Sequence, residues 1–149
     1  MSNMFSMLEI SGSAMSAERQ RAEVVAANLA NENTTRTTEG GPYRRKEVVF
    51  ANQGNSLFRY ALQTAMSLPG PSVPAVRVAR VVTDPAPPLM RYEPGHPDAN
   101  AQGFVAYPAI NPIQEMVDLM GATRAYQLNA SAVNASKQMF QQALTILQS

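Results

Sequence analysis

The stretch "PIQEMVDLMGATRAYQLNASAVNASKQMFQQALTILQS", residues 112–149, decides the architecture. Pro112 suits the first turn of a helix, and no further proline interrupts the chain to Ser149. Within it Leu119, Tyr126, Val133, Phe140 and Leu147 stand seven apart, supplemented by Met116, Ala122, Ala130, Ala143 and Leu144. That spacing keeps a narrow apolar seam on one helix face, as in coiled-coil packing. At about 1.5 Å per residue the helix is roughly 55 Å long, which exceeds what a compact domain of this size ordinarily holds. Packing against another long helix or within an assembly explains it better than a two-helix hairpin core, which remains the alternative. Gly121 is its weak point, and Asn129, Ser131, Asn134 and Ser136 favour close helix approach over a salt-bridged, solvated surface.

The first thirty residues carry the partner signal. They contain no proline and repeat Leu8, Met15, Ala22 and Leu29 at a spacing of seven. Met4 and Val25 suit the intervening seam positions, whereas Ser11 and Glu18 do not, which implies a narrow or partly solvated groove. The helix is expected to close at "VVAANLANENTT", residues 24–35. There Asn28 and Asn31 share a face and, with Asn33, Thr34 and Thr35, offer short polar groups that satisfy free carbonyls and compete with the helix for backbone bonds. Beyond capping, these groups are expected to hydrogen-bond across to a neighbouring helix or subunit where the arm turns toward the middle of the chain.

Between the two helical arms the composition changes. Nearly all of the 11 prolines and most of the glycines fall between Gly40 and Pro112. Short β-leaning runs sit among them at Lys46–Phe50, Val76–Val82, Leu89–Tyr92 and Phe104–Tyr107. Val76 and Val78 alternate with Arg77 and Ala79, the pattern of a half-buried strand. Residues 55–66 read either as a short helix or as a loop element. The expected organisation is α+β: an N-terminal helical arm over residues 1–35, a β-rich module with loops over 36–111, and a long C-terminal helix over 112–149. The two terminal helices form a coiled-coil-like pair with the module inserted between them.

Few residues invite chemistry. His96 is the single histidine and lies with Glu93 and Asp98 in "YEPGHPDAN". His96 and Asp98 stand two apart in a Pro-Gly-rich turn, which is not a dedicated ligand spacing, and a stiff, shaped turn is the simpler reading. A nucleophilic serine would depend on that one imidazole. "EGGP", residues 39–42, leads into a strand and not a helix, so it is no phosphate loop. The run Arg44, Arg45, Lys46 reads as a solvated strand face before a phosphate site. With no cysteine, disulfides and thiolate chemistry are excluded. No metal ligand set, cofactor or catalytic residue is implied.

Composition points the same way. Charged residues make up 15% of the chain, well under the roughly 25% of an ordinary globular surface, as expected of a surface that something else covers. A net charge of +1, without an aromatic-basic stacking surface, argues against a nucleic-acid partner. No apolar run approaches the roughly 20 residues of a membrane-spanning helix. Residues 1–30 lack the basic start, apolar block and cleavage site of a secretory leader. The chain is therefore expected either in the cytoplasm or exported with its N-terminus intact.

Three stretches together resemble the flagellar axial proteins, the rod and hook family. "ISGSAMSAERQRAEVVAANLANENTTRT", residues 10–37, is similar to the rod N-terminal signature, with its Asn-Leu-Ala-Asn and following Thr. "GGPYRRKEVVF", residues 40–50, looks like the segment that follows it. Residues 92–144 resemble the Pro-x-His-Pro turn and the helix with Glu115-Met116, Arg124-Ala125-Tyr126 and Asn129. These stretches cover about two-thirds of the chain, in order; residues 51–74 match no family pattern.

The resemblance implies a non-enzymatic structural subunit of the proximal rod, the drive shaft that transmits torque and surrounds the export channel. Its helices would line the inner wall, with the β module outside. It implies passage through the flagellar type III export apparatus without signal cleavage, and assembly in the periplasm, near peptidoglycan, with FlgB- and FlgF-type rod subunits and further copies of itself. The expected subunit-interface residues are Leu8, Met15, Ala22, Asn28, Leu29 and Asn31 on the first arm. On the last helix they are Met116, Leu119, Arg124, Tyr126, Asn129, Val133, Phe140 and Leu147. The rival reading is a periplasmic module that binds or modifies the cell wall through the central segment, with Arg44, Arg45, His96 and Asp98 as its polar candidates.

Overall fold

Two long helices bracket four short strands in the computed structural model, which describes residues 2–52 and 75–148, with side chains over 6–52 and 75–146. Helix α1 is Ser2–Ala30, followed by β1 (Lys46–Asn52), β2 (Val76–Thr83), β3 (Leu89–Tyr92), β4 (Phe104–Tyr107) and helix α2 (Pro112–Gln148). The fold is α+β, and the four β-leaning runs of the sequence are its four strands. The possible short helix at 55–66 lies outside the described residues.

Both helix boundaries have local causes. At the end of α1 the Asn31 side-chain amide donates to the Ala27 carbonyl at 2.8 Å, and the backbone N–H groups of Asn31 and Thr34 bond back to Ala27 and Asn31. Free carbonyls of the last turn thus gain donors and the helix stops at Ala30. Helix α2 starts at an Asn-Pro pair: Asn111 Oδ1 accepts from the Ile113 N–H at 3.1 Å, and Pro112, which has no N–H to satisfy, takes the first helical position. Along its 37 residues, Asn129, Ser131, Ser136 and Thr145 donate to the carbonyl four residues earlier, which lets short polar side chains sit on the helix without an outside partner.

The strands form two separate two-stranded sheets, β1 with β2 and β3 with β4. The β3–β4 pair is antiparallel, with Leu89 opposite Tyr107 and Tyr92 opposite Phe104. Val105 and Tyr107 are buried, while the Tyr92 and Phe104 rings meet edge to face at 5.4 Å on the exposed side. Gly103 closes the connection at φ +80°, and a Cβ there would lie 2.8 Å from Tyr92 Cε2. Only glycine takes that backbone conformation and that close approach without strain.

The chain divides into two units, one drawn from residues 1–19, 50–79 and 123–149 and the other from 20–49 and 80–122. In the first, Ala17, Ala75 and Ser136 are buried, and Ser13 Oγ accepts from the Val76 N–H at 3.2 Å, tying α1 to the start of β2. In the second, Val25, Asn28, Val105, Tyr107, Ile110, Glu115 and Ala122 are buried. A fully buried amide and a fully buried carboxylate among so few core residues mark where the second unit is specified.

Candidate functional site: a buried polar clasp and exposed apolar residues on a helix

Asn28, on the last full turn of α1, is 0% exposed. Its Nδ2 donates to the Lys46 carbonyl at 2.8 Å and to Glu115 Oε2 at 3.0 Å. Its Oδ1 accepts from the Lys46 N–H at 2.9 Å and from the Tyr43 hydroxyl at 3.1 Å. Both donors and both acceptor positions of the amide are used. One side chain therefore joins α1, the strand β1 and α2.

Glu115 lies in the first turn of α2, where a negative charge interacts favourably with the helix dipole. Its second oxygen accepts from Arg45 Nε at 2.6 Å. The Arg45 guanidinium also pairs with Glu47, with Asp84 at 4.0 Å and with Asp118 at 3.8 Å, and Asp118 in turn meets Arg21 at 3.6 Å. Burial alone would lower the Arg45 pKa; the bonds and charges of Glu115 and Glu47 outweigh it and raise it. Burial, and then the Glu115 charge, raise the Tyr43 phenol above its ordinary value. Desolvating the Glu115 carboxylate is costly unless it is paired and hydrogen-bonded, and here each oxygen has a donor.

A second tie lies a few residues on. Thr35 Oγ1 donates to Asp98 Oδ2 at 2.8 Å and Arg36 reaches Asp98 Oδ1 at 3.6 Å. His96 Nδ1 accepts the Asp98 N–H at 3.1 Å, and its ring sits edge-on to Tyr107. The Tyr107 hydroxyl donates to Glu93 at 2.9 Å, a bond that raises its pKa. The imidazole thus shapes the turn through an acceptor nitrogen. Of the four polar candidates in the central segment, Arg45, His96 and Asp98 are engaged within the chain; Arg44 is exposed.

The residues expected to meet other subunits fall into two groups. On α1, Leu8, Met15, Ala22 and Leu29 are half-buried, as is Asn31, while Ala17 and Val25 are buried and Asn28 fully so. On α2 the buried positions are Glu115, Ala122 and Ser136, with Asn129 half-buried on the same seven-residue line. Leu119 and Val133 are half-buried, and Met116, Arg124, Tyr126 and Phe140 are exposed; Leu147 lies outside the described side chains. Ile113, Val117, Met120, Leu128 and Ile146 are exposed on α2 as well, Ile113 and Ile146 to 74% and 75%.

The sequence places Asn28 at a joint but does not single out Glu115 as its partner, nor Arg45 as the cation that pairs with Glu115. The signal was present in alternation: if Arg44 and Lys46 face solvent at the start of a strand, Arg45 faces inward and needs a carboxylate.

The three stretches that build the clasp are those that resemble the axial proteins: Asn28 from the first, Tyr43 and Arg45 from the second, Glu115 from the third. The family model described as flagella basal body rod protein matches residues 8–36, and that of the flagellar basal body rod FlgEFG protein C-terminal region matches 101–146. The class is that of the flagellar basal-body rod proteins. The chain is 42% identical to the flagellar basal-body rod protein FlgC of Bacillus subtilis (strain 168), over 95% of this chain and 97% of that one. To FlgC of Borreliella burgdorferi it is 37% identical, over 97% of this chain and 98% of that protein. To FlgC of Escherichia coli O6:H1 it is 39% identical, over 96% and 97%. The chain belongs to the FlgC family of flagellar basal-body rod proteins.

Proposed function

We propose that the chain is a structural subunit of the bacterial flagellar basal-body rod, placed in its proximal section, and that it acts by packing and not by catalysis. Its terminal helices assemble with neighbouring rod subunits, of the FlgB and FlgF types and further copies of itself, into the shaft that transmits torque around the export channel. It reaches the periplasm through the flagellar type III export apparatus. The observation that carries this reading is the exposed apolar surface of α2: Ile113, Met116, Val117, Met120, Tyr126, Leu128, Met139, Phe140, Leu144 and Ile146, spread around the helix, are all at least 38% exposed. Scattered exposed apolar residues are ordinary, but this many along one helix mark a surface meant to be covered.

The test uses a difference between the free and the assembled chain. Phe140 is 40% exposed, so Phe140→Asp costs the isolated subunit only its partial burial and the weaker helix propensity of Asp, about 1–2 kcal/mol. In a packed shaft the same carboxylate is buried without a partner, at a cost of several kcal/mol. The expected result is a soluble, exported chain with wild-type circular dichroism, no rods by electron microscopy and no motility. Normal rods and swimming with Phe140→Asp and Val133→Asp would overturn the reading.

A further inference from the structure

Three consecutive cations part where the chain enters β1. Arg45 turns inward to Glu115 and Glu47, while Arg44 and Lys46 are exposed. Neither has a carboxylate partner among the described residues; the Lys46 ammonium lies 5.7 Å from the Tyr43 ring centre. Both line an open cleft of about 320 Å³ together with Thr37, Thr38, Thr83 and the Pro42–Tyr43 wall. The cleft floor turns at Gly40 and Gly41, whose φ angles are +88° and +74°, and a Cβ at either would meet nothing within 4 Å. The turn is fixed by the Gly40 N–H to the Thr37 carbonyl at 3.1 Å and the Thr37 N–H to the Gly41 carbonyl at 2.9 Å.

The geometry points to a binding site for an acidic sugar. Two cations with no carboxylate of their own supply charge-assisted hydrogen bonds to one carboxylate. The cleft is larger than a bare anion needs, and although the Thr37 hydroxyl is given to the Gly40 and Gly41 carbonyls, Thr38 and Thr83 line it together with Pro42 and Tyr43, a lining that suits a ring with hydroxyls on its rim and C–H groups on its faces. Glu39, exposed on the same cleft, accepts from sugar hydroxyls and disfavours ligands with a second negative charge nearby. The clasp lies behind this surface: Lys46 is held by its backbone to Asn28, so its side chain can be changed without removing that tie. The site is independent of helix assembly, so its failure would leave the rod reading untouched.

The test is an amide chemical-shift titration of the full chain with glucuronate and N-acetylmuramate, each beside its uncharged counterpart, glucose and N-acetylglucosamine. Acetate, phosphate and a short Asp-containing peptide complete the set. The expected result is saturable binding of the acidic sugars, with shifts confined to residues 37–46 and 83. Affinity falls about tenfold or more for the uncharged sugars and for each of Arg44→Gln and Lys46→Gln, the loss of a charge-assisted bond. Thr38→Val weakens the sugars and leaves acetate unchanged. Equal binding of acetate or phosphate would mean an adventitious ion only. Tighter binding of the peptide, no saturation, or affinity indifferent to both Gln variants would equally overturn the proposal.

Discussion

Asn28 pairs with Lys46 as a neighbouring strand would, giving Nδ2–H to its carbonyl at 2.8 Å and taking its N–H on Oδ1 at 2.9 Å. The side-chain amide thus adds one rung beside β1, and the strand edge is satisfied at that point by a helix. Asn28→Ala leaves the Lys46 N–H and carbonyl without these partners and strips one donor from Glu115. Asn28→Asp keeps the shape but sets carboxylate oxygens against the Lys46 carbonyl and the Glu115 carboxylate. Losses of about 2–4 kcal/mol are expected for Ala and more for Asp, read as shifts in urea midpoint. The Lys46 amide should lose its exchange protection in both variants. An unchanged midpoint with a protected Lys46 would show that the rung carries no weight.

Alkaline pH attacks the same joint. The Tyr43 pKa is raised above its ordinary value of 10.0, first by burial and then by the Glu115 charge. A raised pKa means that the folded chain holds the proton more tightly than the unfolded one. Its contribution is complete below about pH 10 and is lost as pH rises through the folded value. Tyr107, raised first by its bond to Glu93, acts in the same direction. Stability should therefore fall from about pH 10 upward. Tyr43→Phe should lower the neutral-pH baseline by about 1 kcal/mol for the lost bond to Asn28 and flatten the alkaline decline. A Phe variant as alkali-sensitive as the parent would assign the decline elsewhere.

The sequence was legible where one period dominates. Val76, Val78 and their alternating neighbours mark β2, and the amides after Val25 mark the end of α1, because local backbone chemistry decides both. It was less legible where the buried residue is not apolar. On α2 the eye follows Leu119, Tyr126, Val133 and Phe140, yet the line holding Glu115, Ala122 and Ser136 is the buried one. Periodicity reports which residues share a face, and only the partner decides which face is inside. Glu115 is inside because Arg45 and Asn28 reach it, two contacts separated by 70 and 87 residues in sequence that no local pattern encodes.

Ala122 tests that account directly, since it is 0% exposed on the buried line while Ala132, on the same helix, faces solvent. Two alanines of equal helix propensity thus occupy opposite environments, and leucine is nearly as good a helix former as alanine. If small size at 122 is what lets the chain close around α2, Ala122→Leu forces side chains or backbone to shift, at about 1–3 kcal/mol. Ala132→Leu in the isolated subunit should stay within about 0.5 kcal/mol of the parent. Parallel urea unfolding of the two variants separates steric closure from propensity, because only position 122 should respond. Equal, small effects at both positions would mean that room exists beside Ala122 and that the close approach of α2 does not depend on its methyl-sized side chain.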